Sequence, residues 1–387
     1  MTYYYQLIFL GNTATEAYKE IRGLFLKRLQ ELGIDESCVK VIKAENFDID
    51  YSNCQPAFAF FLGSAAERDK DLRELEVLLG NGDTIYPLYF ENGSFEQETP
   101  ECIHQMNGHQ YLVQELDRYV NCALESLRLL RKTRKVFISY RRTDSTAVAN
   151  QLFDVLTRRN FDVFLDSYVI RGADNFQEEL FHRMSDCDVL VQLNTNDFKN
   201  SKWCRAEVEM ANMKQIGLIE VIWPNSGLER WSELCYPYHL KAEDFRRKRF
   251  KNSKSVLKNS VLNAIARDVE SVRARNLAAR QDNIAGEFVK EAQKQGRVVV
   301  QELYYLLEKK ENGMRLYLPA VGIPSAFDYY ESLEFKTLLQ NQDLEIYLLY
   351  DELRIREKWI KHLDWLDSSL EVKSIKKKDF ATWLQEH

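Results

Sequence analysis

The sequence predicts a multidomain α/β protein built on mostly parallel sheets. Short apolar runs alternate with amphipathic segments along the 387 residues, which is the pattern of repeated strand–helix–strand units. Most strand-like runs are continuously apolar, as expected for strands covered by helices on both faces. The pattern restarts twice, which predicts domains at residues 1–131, 132–272 and 297–387, with a helical connector at 273–296.

The predicted strands follow the apolar runs of each block. They lie at residues 4–10, 39–42, 57–62 and 85–90 in the first block, at 136–139, 162–165, 188–193 and 218–223 in the second, and at 315–321, 345–349 and 371–375 in the third. The first block therefore resembles a small Rossmann-like or flavodoxin-like unit. The third resembles half of a doubly wound unit and carries no family signature.

The predicted helices follow apolar residues at helical spacing. They lie at residues 15–32, 69–79 and 113–130, at 144–159, 176–184, 204–213 and 255–272, and at 325–339 and 353–366. Asp144 and Ser145 are expected to cap the helix at 144–159, because their oxygens can accept the first-turn N–H groups. A charged helical connector follows at 273–295.

Composition and charge exclude several classes of protein. The chain is 45 % hydrophobic and 29 % charged, which is ordinary for a globular protein. With 53 basic and 59 acidic residues its net charge is −6, so neither nucleic acid nor an anionic membrane is expected as a partner. No apolar run approaches the roughly 20 residues of a membrane span, and no signal peptide is evident. We predict a cytoplasmic protein.

The cysteine and histidine patterns argue against a metal site. The seven cysteines are scattered and form no Cys-x-x-Cys pair, and the six histidines show no ligand spacing. An odd number of scattered cysteines is typical of reduced thiols in a cytosolic protein. The first block also lacks a Gly-x-Gly-x-x-Gly or Walker pattern after its strands. We therefore predict neither a metal nor a bound cofactor.

Three segments of the second block carry a family resemblance. They read KVFISYRR at residues 135–142, FLDSYVIRG at 164–172 and DCDVLVQLNTNDFKNSKWCRAE at 186–207. In order and spacing they resemble the boxes of Toll/interleukin-1 receptor (TIR) domains, and the resemblance covers residues 132–272. It implies a flavodoxin-like fold, with a parallel sheet and helices on both faces, flanked by a Rossmann-like or TIR-like α/β domain and a small C-terminal α/β domain.

The predicted topology brings the polar residues of these segments to one cleft. In a doubly wound sheet, ligands bind at the carboxyl ends of the strands. Ser139, Tyr140 and Arg141 follow the first strand of the block, and Asp166 and Arg171 follow the second. A helix with Trp203 and Glu207 follows the third strand. All of these residues are therefore candidates for one site.

The resemblance implies cleavage of NAD at Glu207. Trp203 and Glu207 are spaced i, i+4, so they share one face of a helix. Trp203 can stack a nicotinamide or adenine ring, and Glu207 can stabilise the oxocarbenium-like state of nicotinamide–ribose cleavage. The products would be nicotinamide and ADP-ribose or a cyclic ADP-ribose. NAD is then the substrate, and no metal is needed.

Simpler roles stay open for these residues. Glu207 can be a solvated carboxylate that complements a helix dipole, and Trp203 can be a core residue. We expect a surface carboxylate, so Glu207→Ala should cost within ~0.5 kcal/mol of stability. Arg141 either grips the pyrophosphate or lies in a surface charge pair. Ser139 is expected to pack or cap locally, and Cys204 to be a small buried thiol.

The resemblance also implies assembly. The family uses the loop at residues 166–175 to border the site and to contact neighbouring subunits, so a homo-oligomer or filament switched on by an unknown activator is expected. The resemblance further suggests a bacterial enzyme of antiphage defence. Two alternatives stay open, namely a non-catalytic scaffold that recruits partners through this loop, and a nucleotide sensor that binds its signal in the first or third block.

The sequence contains two further patterns, a possible internal repeat and a dense basic run. A gapless alignment of Asn92 with Asn225 places Glu74 opposite Glu207, so the first block can be a degenerate, inactive copy of the second, although unrelated β-α-β units also look alike. The dense basic run at residues 246–254 is expected to be a solvated loop rather than a nucleic-acid site, because few aromatic residues interrupt it.

Overall fold

The computed structural model divides the chain into two compact units, Met1–Lys132 and Thr133–His387. It describes residues 4–32, 34–53, 55–90, 94–127, 129–165, 176–196, 202–227, 235–302, 305–310 and 313–387, without the side chains of 176–177, 202–205, 302 and 338. In the part of the chain that it describes, no helix has both the length and the apolar character needed to cross a membrane.

The first unit contains a five-stranded parallel sheet of order β2-β1-β3-β4-β5. This is the strand order of a flavodoxin-like fold. The strands are β1 (Tyr5–Gly11), β2 (Val39–Lys43), β3 (Ala57–Leu62), β4 (Thr84–Tyr89) and β5 (His109–Gln110). The helices are α1 (Glu16–Glu31), α2 (Phe47–Asp50), α3 (Leu72–Asn81), α4 (Phe95–Glu98) and α5 (Leu116–Ser126).

The second unit begins with a sheet of the same strand order. Its five parallel strands run β10-β9-β8-β6-β7, so the first strand in sequence again lies between the second and the third. The strands are β6 (Lys135–Ser139), β7 (Asp162–Leu165), β8 (Val189–Asn194), β9 (Gly217–Ile222) and β10 (Tyr236–His239). The fold class predicted for this segment is therefore confirmed.

Helices cover both faces of this sheet. They are α6 (Arg142–Thr157), α7 (Phe176–Ser185), α8 (Lys202–Met213) and α9 (Asn259–Lys294). On one face, Val136 and Ile138 pack with apolar residues of α6 and α9. On the other face, Phe137, Leu190 and Leu218 pack with residues of α7 and α8. Because alternate residues of each strand enter different cores, both faces are apolar in sequence.

The third sheet is mixed, and its order is β11-β12-β13-β14-β15. Its first two neighbouring pairs are antiparallel and its last two are parallel. The strands are β11 (Val299–Glu302), β12 (Tyr305–Lys310), β13 (Gly313–Ala320), β14 (Glu345–Tyr350) and β15 (Lys373–Lys376). The helices are α10 (Ala326–Ser332), α11 (Glu334–Leu338), α12 (Glu357–Ser369) and α13 (Phe380–Glu386).

One helix serves the cores of two sheets. Helix α9 is 36 residues long, so the helix expected at 255–272 and the connector expected at 273–295 form one continuous element. Its first half, including Ile265 and Val269, packs in the core of β6–β9. Its second half, including Ile284 and Phe288, packs against β12–β15. Two consecutive apolar stripes therefore fix the second and third sheets to one rod.

Ionic contacts are buried where α9 crosses the amino-terminal edge of the β6–β10 sheet. Arg273 Nε donates to Asp188 Oδ2 at 2.9 Å, and both side chains are fully buried. Arg134 donates to Glu270 at 2.9 Å one turn away. Asp188 also accepts the backbone N–H of Lys135, where β6 begins. The pair therefore joins α9 to the start of two strands.

Some local predictions were wrong. Asp144 and Ser145 do not cap the helix: Asp144 accepts from Thr195 Oγ1 at 2.9 Å, and Ser145 Oγ donates to the Arg141 carbonyl. The helix instead begins at Arg142 and is kinked at Ser145, where φ is −137°. The strands β5, β10, β11 and β12 were missed because they are short or rich in polar residues, as in the exposed Tyr-Pro-Tyr-His of β10.

We expect Arg273→Met to lower the free energy of unfolding of the second unit by about 3–5 kcal/mol. The substitution keeps the bulk of the side chain but leaves the Asp188 carboxylate buried without its cation. The matched control is Arg275→Met on the exposed side of the same helix, which should change stability by within ~0.5 kcal/mol. Urea unfolding of both variants measures this difference, and equal midpoints would contradict a structural role for the pair.

Candidate functional site

The structure brings Ser139 and Glu207 together at the carboxyl edge of the β6–β10 sheet. Ser139 is the last residue of β6, and Glu207 lies on α8, the helix that follows β8. Ser139 Oγ donates to Glu207 Oε2 at 2.5 Å, and both residues are 3 % exposed. The carboxylate that was expected to be at the surface is therefore buried and hydrogen-bonded. The expectation of a surface residue was wrong, because α8 packs against the sheet through the neighbouring Val208 and Ala211.

A row of polar side chains crosses the sheet at the level of Ser139. In register, Ser139 pairs with Gln192 of β8, and Gln192 pairs with Glu220 of β9. All three are buried. They point to the face that carries Phe137, Leu190 and Leu218 two residues earlier, where α7 and α8 pack. The apolar core beneath α8 therefore ends in a buried polar row, next to Glu207.

Asn194 and Cys235 extend this polar row. Asn194 Nδ2 donates to Glu220 Oε1 at 2.5 Å and to the Gly227 carbonyl at 3.2 Å. The Cys235 thiol lies 3.4 Å from Glu220 Oε2. Burial, and then the neighbouring Glu220 carboxylate, raise the pKa of Cys235 to about 12. This thiol is therefore protonated at neutral pH and is a poor nucleophile.

The residues that follow β6 point in different directions. The Tyr140 ring is buried in the core beneath α6 and α9, on the other face of the sheet from Glu207. Arg141 is 42 % exposed, and its guanidinium lies 3.4 Å from Asp144. Arg141 thus lies partly exposed beside Asp144 at the edge of the sheet, whereas Tyr140 contributes to the fold that holds Ser139.

The remaining candidates are described only in part. The backbone of Trp203 lies in the first turn of α8, one turn before Glu207, and its side chain lies outside the described atoms. Asp166 and Arg171 lie outside the described residues, as does the whole loop at 166–175. Their roles therefore remain predictions from the sequence.

Sequence reasoning missed Gln192, Asn194 and Glu220. A signal was present, because these residues interrupt otherwise apolar strands, as in Val-Leu-Val-Gln-Leu-Asn of β8. Buried polar groups cost free energy unless they are hydrogen-bonded, so three polar residues in central strands indicate a functional or structural network. The register that places them beside Ser139 is a property of the assembled sheet.

The equivalent positions of the first unit are apolar. On the α3 face of that sheet, Leu10 of β1 pairs in register with Phe61 of β3, which pairs with Pro87 of β4. Glu74 lies on α3, which follows the third strand as α8 does, but its carboxylate binds the guanidinium of the adjacent Arg73. The two sheets share a strand order, and the polar row is present only in the second among the described residues. The duplication itself stays a prediction.

The described residues contain no candidate metal site. Among them, no group of three or more His, Cys, Asp and Glu side chains is arranged to hold a metal ion. The basic residues 246–249 lie exposed before α9, in a segment where the Phe250 carbonyl accepts from Trp223 Nε1 at 3.2 Å.

Comparison with known families identifies the segment that holds this site. Residues 136–255 match the family model described as TIR domain. The match begins in β6 and includes Ser139, Glu207 and the whole polar row. No curated protein matches the chain.

Solved structures resemble the chain only weakly. One is proximal thread matrix protein 1 from the mussel byssus, with 9 % identity, 71 % of this chain and 96 % of that chain covered, and a TM-score of 0.23. A second is a putative tagatose-6-phosphate ketose/aldose isomerase from Clostridium novyi NT, with 7 % identity, 71 % and 78 % covered, and a TM-score of 0.19. A third is the lac repressor dimer bound to operator and an anti-inducer, with 9 % identity, 72 % and 88 % covered, and a TM-score of 0.18.

We expect Glu220→Gln to make Cys235 react faster with iodoacetamide at pH 8. Removing the negative charge lowers the pKa of the thiol and raises its thiolate fraction, although burial still holds the pKa above its usual range. Peptide mapping by mass spectrometry measures the rate at Cys235. Glu209→Gln, an exposed change on α8, is the control and should leave the rate unaltered. An unchanged rate in Glu220→Gln would show that Glu220 does not control this thiol.

Proposed function

Because the chain contains a TIR domain at residues 136–255, we propose that it is an NAD nucleosidase. The reaction cuts the nicotinamide–ribose bond and releases nicotinamide together with ADP-ribose or a cyclic ADP-ribose. One observation carries the proposal: the buried Glu207 carboxylate is held by Ser139 at the carboxyl edge of the sheet, where ligands bind in doubly wound folds.

The chemistry follows from the surroundings of Glu207. Loss of nicotinamide leaves positive charge on the ribose, and a carboxylate stabilises that charge best where water is excluded. The Ser139 hydroxyl donates to Glu207 Oε2 at 2.5 Å and so helps to fix the orientation of the carboxylate. The carboxylate is proposed to stabilise the charge on the ribose. In this mechanism Ser139 is a positioning residue and not a nucleophile.

The burial of these groups favours catalysis over a purely adaptor role. An adaptor needs exposed surfaces, and nothing in partner recruitment requires a carboxylate that is 3 % exposed. Desolvating Glu207, Gln192 and Glu220 costs stability unless each finds a partner. Such a departure from an apolar core is typical of a functional site. The scaffold alternative therefore does not explain the buried polar row.

Substrate binding and assembly complete the proposal. Arg141, exposed at the same edge, is proposed to bind the pyrophosphate of NAD through its guanidinium. Trp203, one turn before Glu207, is proposed to stack a ring of the substrate. Activation by self-assembly and a role in bacterial antiphage defence are proposals that rest on the resemblance to other TIR enzymes. The activator is proposed to act through a region outside residues 136–255.

We expect Glu207→Gln to abolish release of nicotinamide from NAD by the purified full-length protein. The amide keeps the shape of the side chain and a partner for Ser139, but it removes the negative charge that stabilises the transition state. The loss should be at least about a hundredfold in kcat, as for removal of other electrostatic stabilisers. Glu209→Gln, an exposed carboxylate on the same helix, is the control and should keep full turnover.

The assay must allow for assembly. It is run at high protein concentration with a crowding agent, and thermal unfolding of each variant confirms that the fold is kept. Full turnover by a folded Glu207→Gln protein would falsify the catalytic assignment. If the wild type is silent in solution but depletes NAD in expressing cells while Glu207→Gln does not, the enzyme is established and its activator is missing from the purified sample.

We expect Trp203→Ala to raise KM for NAD more than it lowers kcat. Stacking on an aromatic side chain contributes about 1–3 kcal/mol per base, which corresponds to a loss of affinity of roughly 5- to 150-fold. Trp365→Ala, an exposed tryptophan of α12, is the matched control. Unchanged Michaelis parameters in the Trp203 variant would refute a role in stacking.

A further inference from the structure

We propose that a cavity between α8, α9 and the third sheet is a binding site for a phosphate-bearing small molecule. The cavity lies wholly within the second unit. It is separate from the Glu207 site, because its lining begins at Met213, where α8 ends. The inference goes beyond the proposed NAD cleavage and does not depend on it.

The carboxyl ends of the parallel strands in the third sheet form one wall of the cavity. Gly322 follows β13, Asp351 follows β14 and Lys377 follows β15, and all three line the cavity. Strands β13, β14 and β15 are parallel neighbours, so this edge is the place where α/β sheets bind their ligands. The position of the cavity at this edge follows from the strand topology and not from charge. It therefore supports the proposal independently of the basic residues.

Three of the four charged side chains in the lining are basic, namely Lys214, Arg280 and Lys377, and the fourth is the Asp351 carboxylate. Lys377 also donates to Asn283 and lies 3.0 Å from Glu287 at the rim, and Arg280 donates to the backbone carbonyls of Ser185 and Cys187. Lys214 comes from the end of α8, Arg280 from α9 and Lys377 from the turn after β15, so three separate elements bring positive charge to one point. Guanidinium and ammonium groups that converge in this way bind the oxygens of phosphate.

Lys214 is a buried cation whose charge is only partly compensated. Its side chain is 2 % exposed, and its ammonium donates to the Asp351 carbonyl at 3.0 Å and lies 3.4 Å from Asp351 Oδ2. The pKa of Lys214 is lowered to about 8, mainly by burial and also by the positive charge of Arg280, although Asp351 and Glu352 oppose the change. An anion in the cavity would supply the missing negative charge. A lysine held at a cost to stability is typical of a binding site.

The size of the cavity defines what part of a ligand it takes. Its volume is about 30 Å³ and it opens to solvent. A buried water needs roughly 10–15 Å³ of such space, so the cavity holds about two water molecules. That is room for the terminal oxygens of a phosphoryl group, with the rest of the molecule outside. The ligand is therefore either free phosphate or a phosphomonoester that inserts its phosphate.

The site is placed to report on the TIR domain. Lys214 directly follows α8, the helix that carries Glu207 near its middle, so one rigid helix contributes to both proposed sites. Asp351 of the third sheet is fixed to that helix end through Lys214. A ligand that binds Lys214 and Lys377 together joins α8 to the third sheet by a second contact. In this proposal the third sheet serves as a ligand-binding module.

The test uses inorganic phosphate as the probe and the full-length chain as the receptor. Isothermal titration is performed against chloride at equal ionic strength, so that a general salt effect is removed. We expect saturable binding, a higher melting temperature in phosphate, and competition by ribose 5-phosphate if the natural ligand is a phosphomonoester. Absence of competition assigns the site to free phosphate, and absence of saturable binding by the wild type overturns the proposal.

Variants then locate the bound phosphate. Lys377→Gln should weaken binding about tenfold or more, because it removes a charge-assisted hydrogen bond. Lys378→Gln, its exposed neighbour outside the lining, should leave binding unchanged. Arg141→Gln should also bind as the wild type does, since Arg141 belongs to the proposed NAD site. Binding that is kept by Lys377→Gln or lost in Arg141→Gln would place the phosphate elsewhere and overturn the proposal.

Lys214→Met provides a second, independent variant. Replacing a cation of lowered pKa by an apolar side chain of similar length should leave the melting temperature in chloride equal or higher, while phosphate no longer raises it. This combination separates a binding role from a structural one. If phosphate still raises the melting temperature of Lys214→Met as much as that of the wild type, Lys214 does not bind it and the proposed site is wrong.

Discussion

The second unit depends on one long helix that belongs to two cores. The apolar residues of α9 pack first beneath the β6–β10 sheet and then, beyond the buried ionic contacts of Glu270 and Arg273, beneath the third sheet. Arg273 and Asp188 are both fully buried at the crossing, where their mutual charge and their bonds to the Thr133 carbonyl and the Lys135 N–H offset the cost of burial. A helix that is packed over its whole length holds the sheets at its two ends in fixed positions. The relative placement of the two sheets is therefore fixed by packing and not by a flexible linker.

This arrangement sets the amino-terminal edge of one sheet against the carboxyl edge of the next. Helix α9 packs at the amino-terminal edge of β6–β10, whereas Ser139 and Glu207 meet at the opposite, carboxyl edge. The carboxyl edge of β13–β15 lies next to the end of α8, where Lys214 binds Asp351. Helix α8 thus runs from the carboxyl edge of the β6–β10 sheet to the carboxyl edge of the third sheet. Helix α8 therefore connects the proposed phosphate site beside the third sheet to Glu207, the residue proposed to be catalytic.

The first unit shows how little of a site the fold alone specifies. Its sheet has the same strand order as the TIR domain and its α3 occupies the place of α8. Yet its equivalent row is Leu10, Phe61 and Pro87, and Glu74 pairs with its own neighbour Arg73. A scaffold of this kind is stable with either row. The chemistry therefore belongs to the side chains placed on the fold, as for other widely used folds.

The sequence by itself determined the α/β class, the TIR boxes and the candidate residues Ser139, Trp203 and Glu207, because apolar periodicity and ordered motifs are local properties of the chain. Only the tertiary structure decided that Glu207 is buried and bonded to Ser139, that Gln192 and Glu220 share its row, and that α9 is one helix. Burial and register depend on which elements pack together, and residues 68 positions apart meet only in the folded sheet. The local sequence pattern does not specify this contact between distant residues.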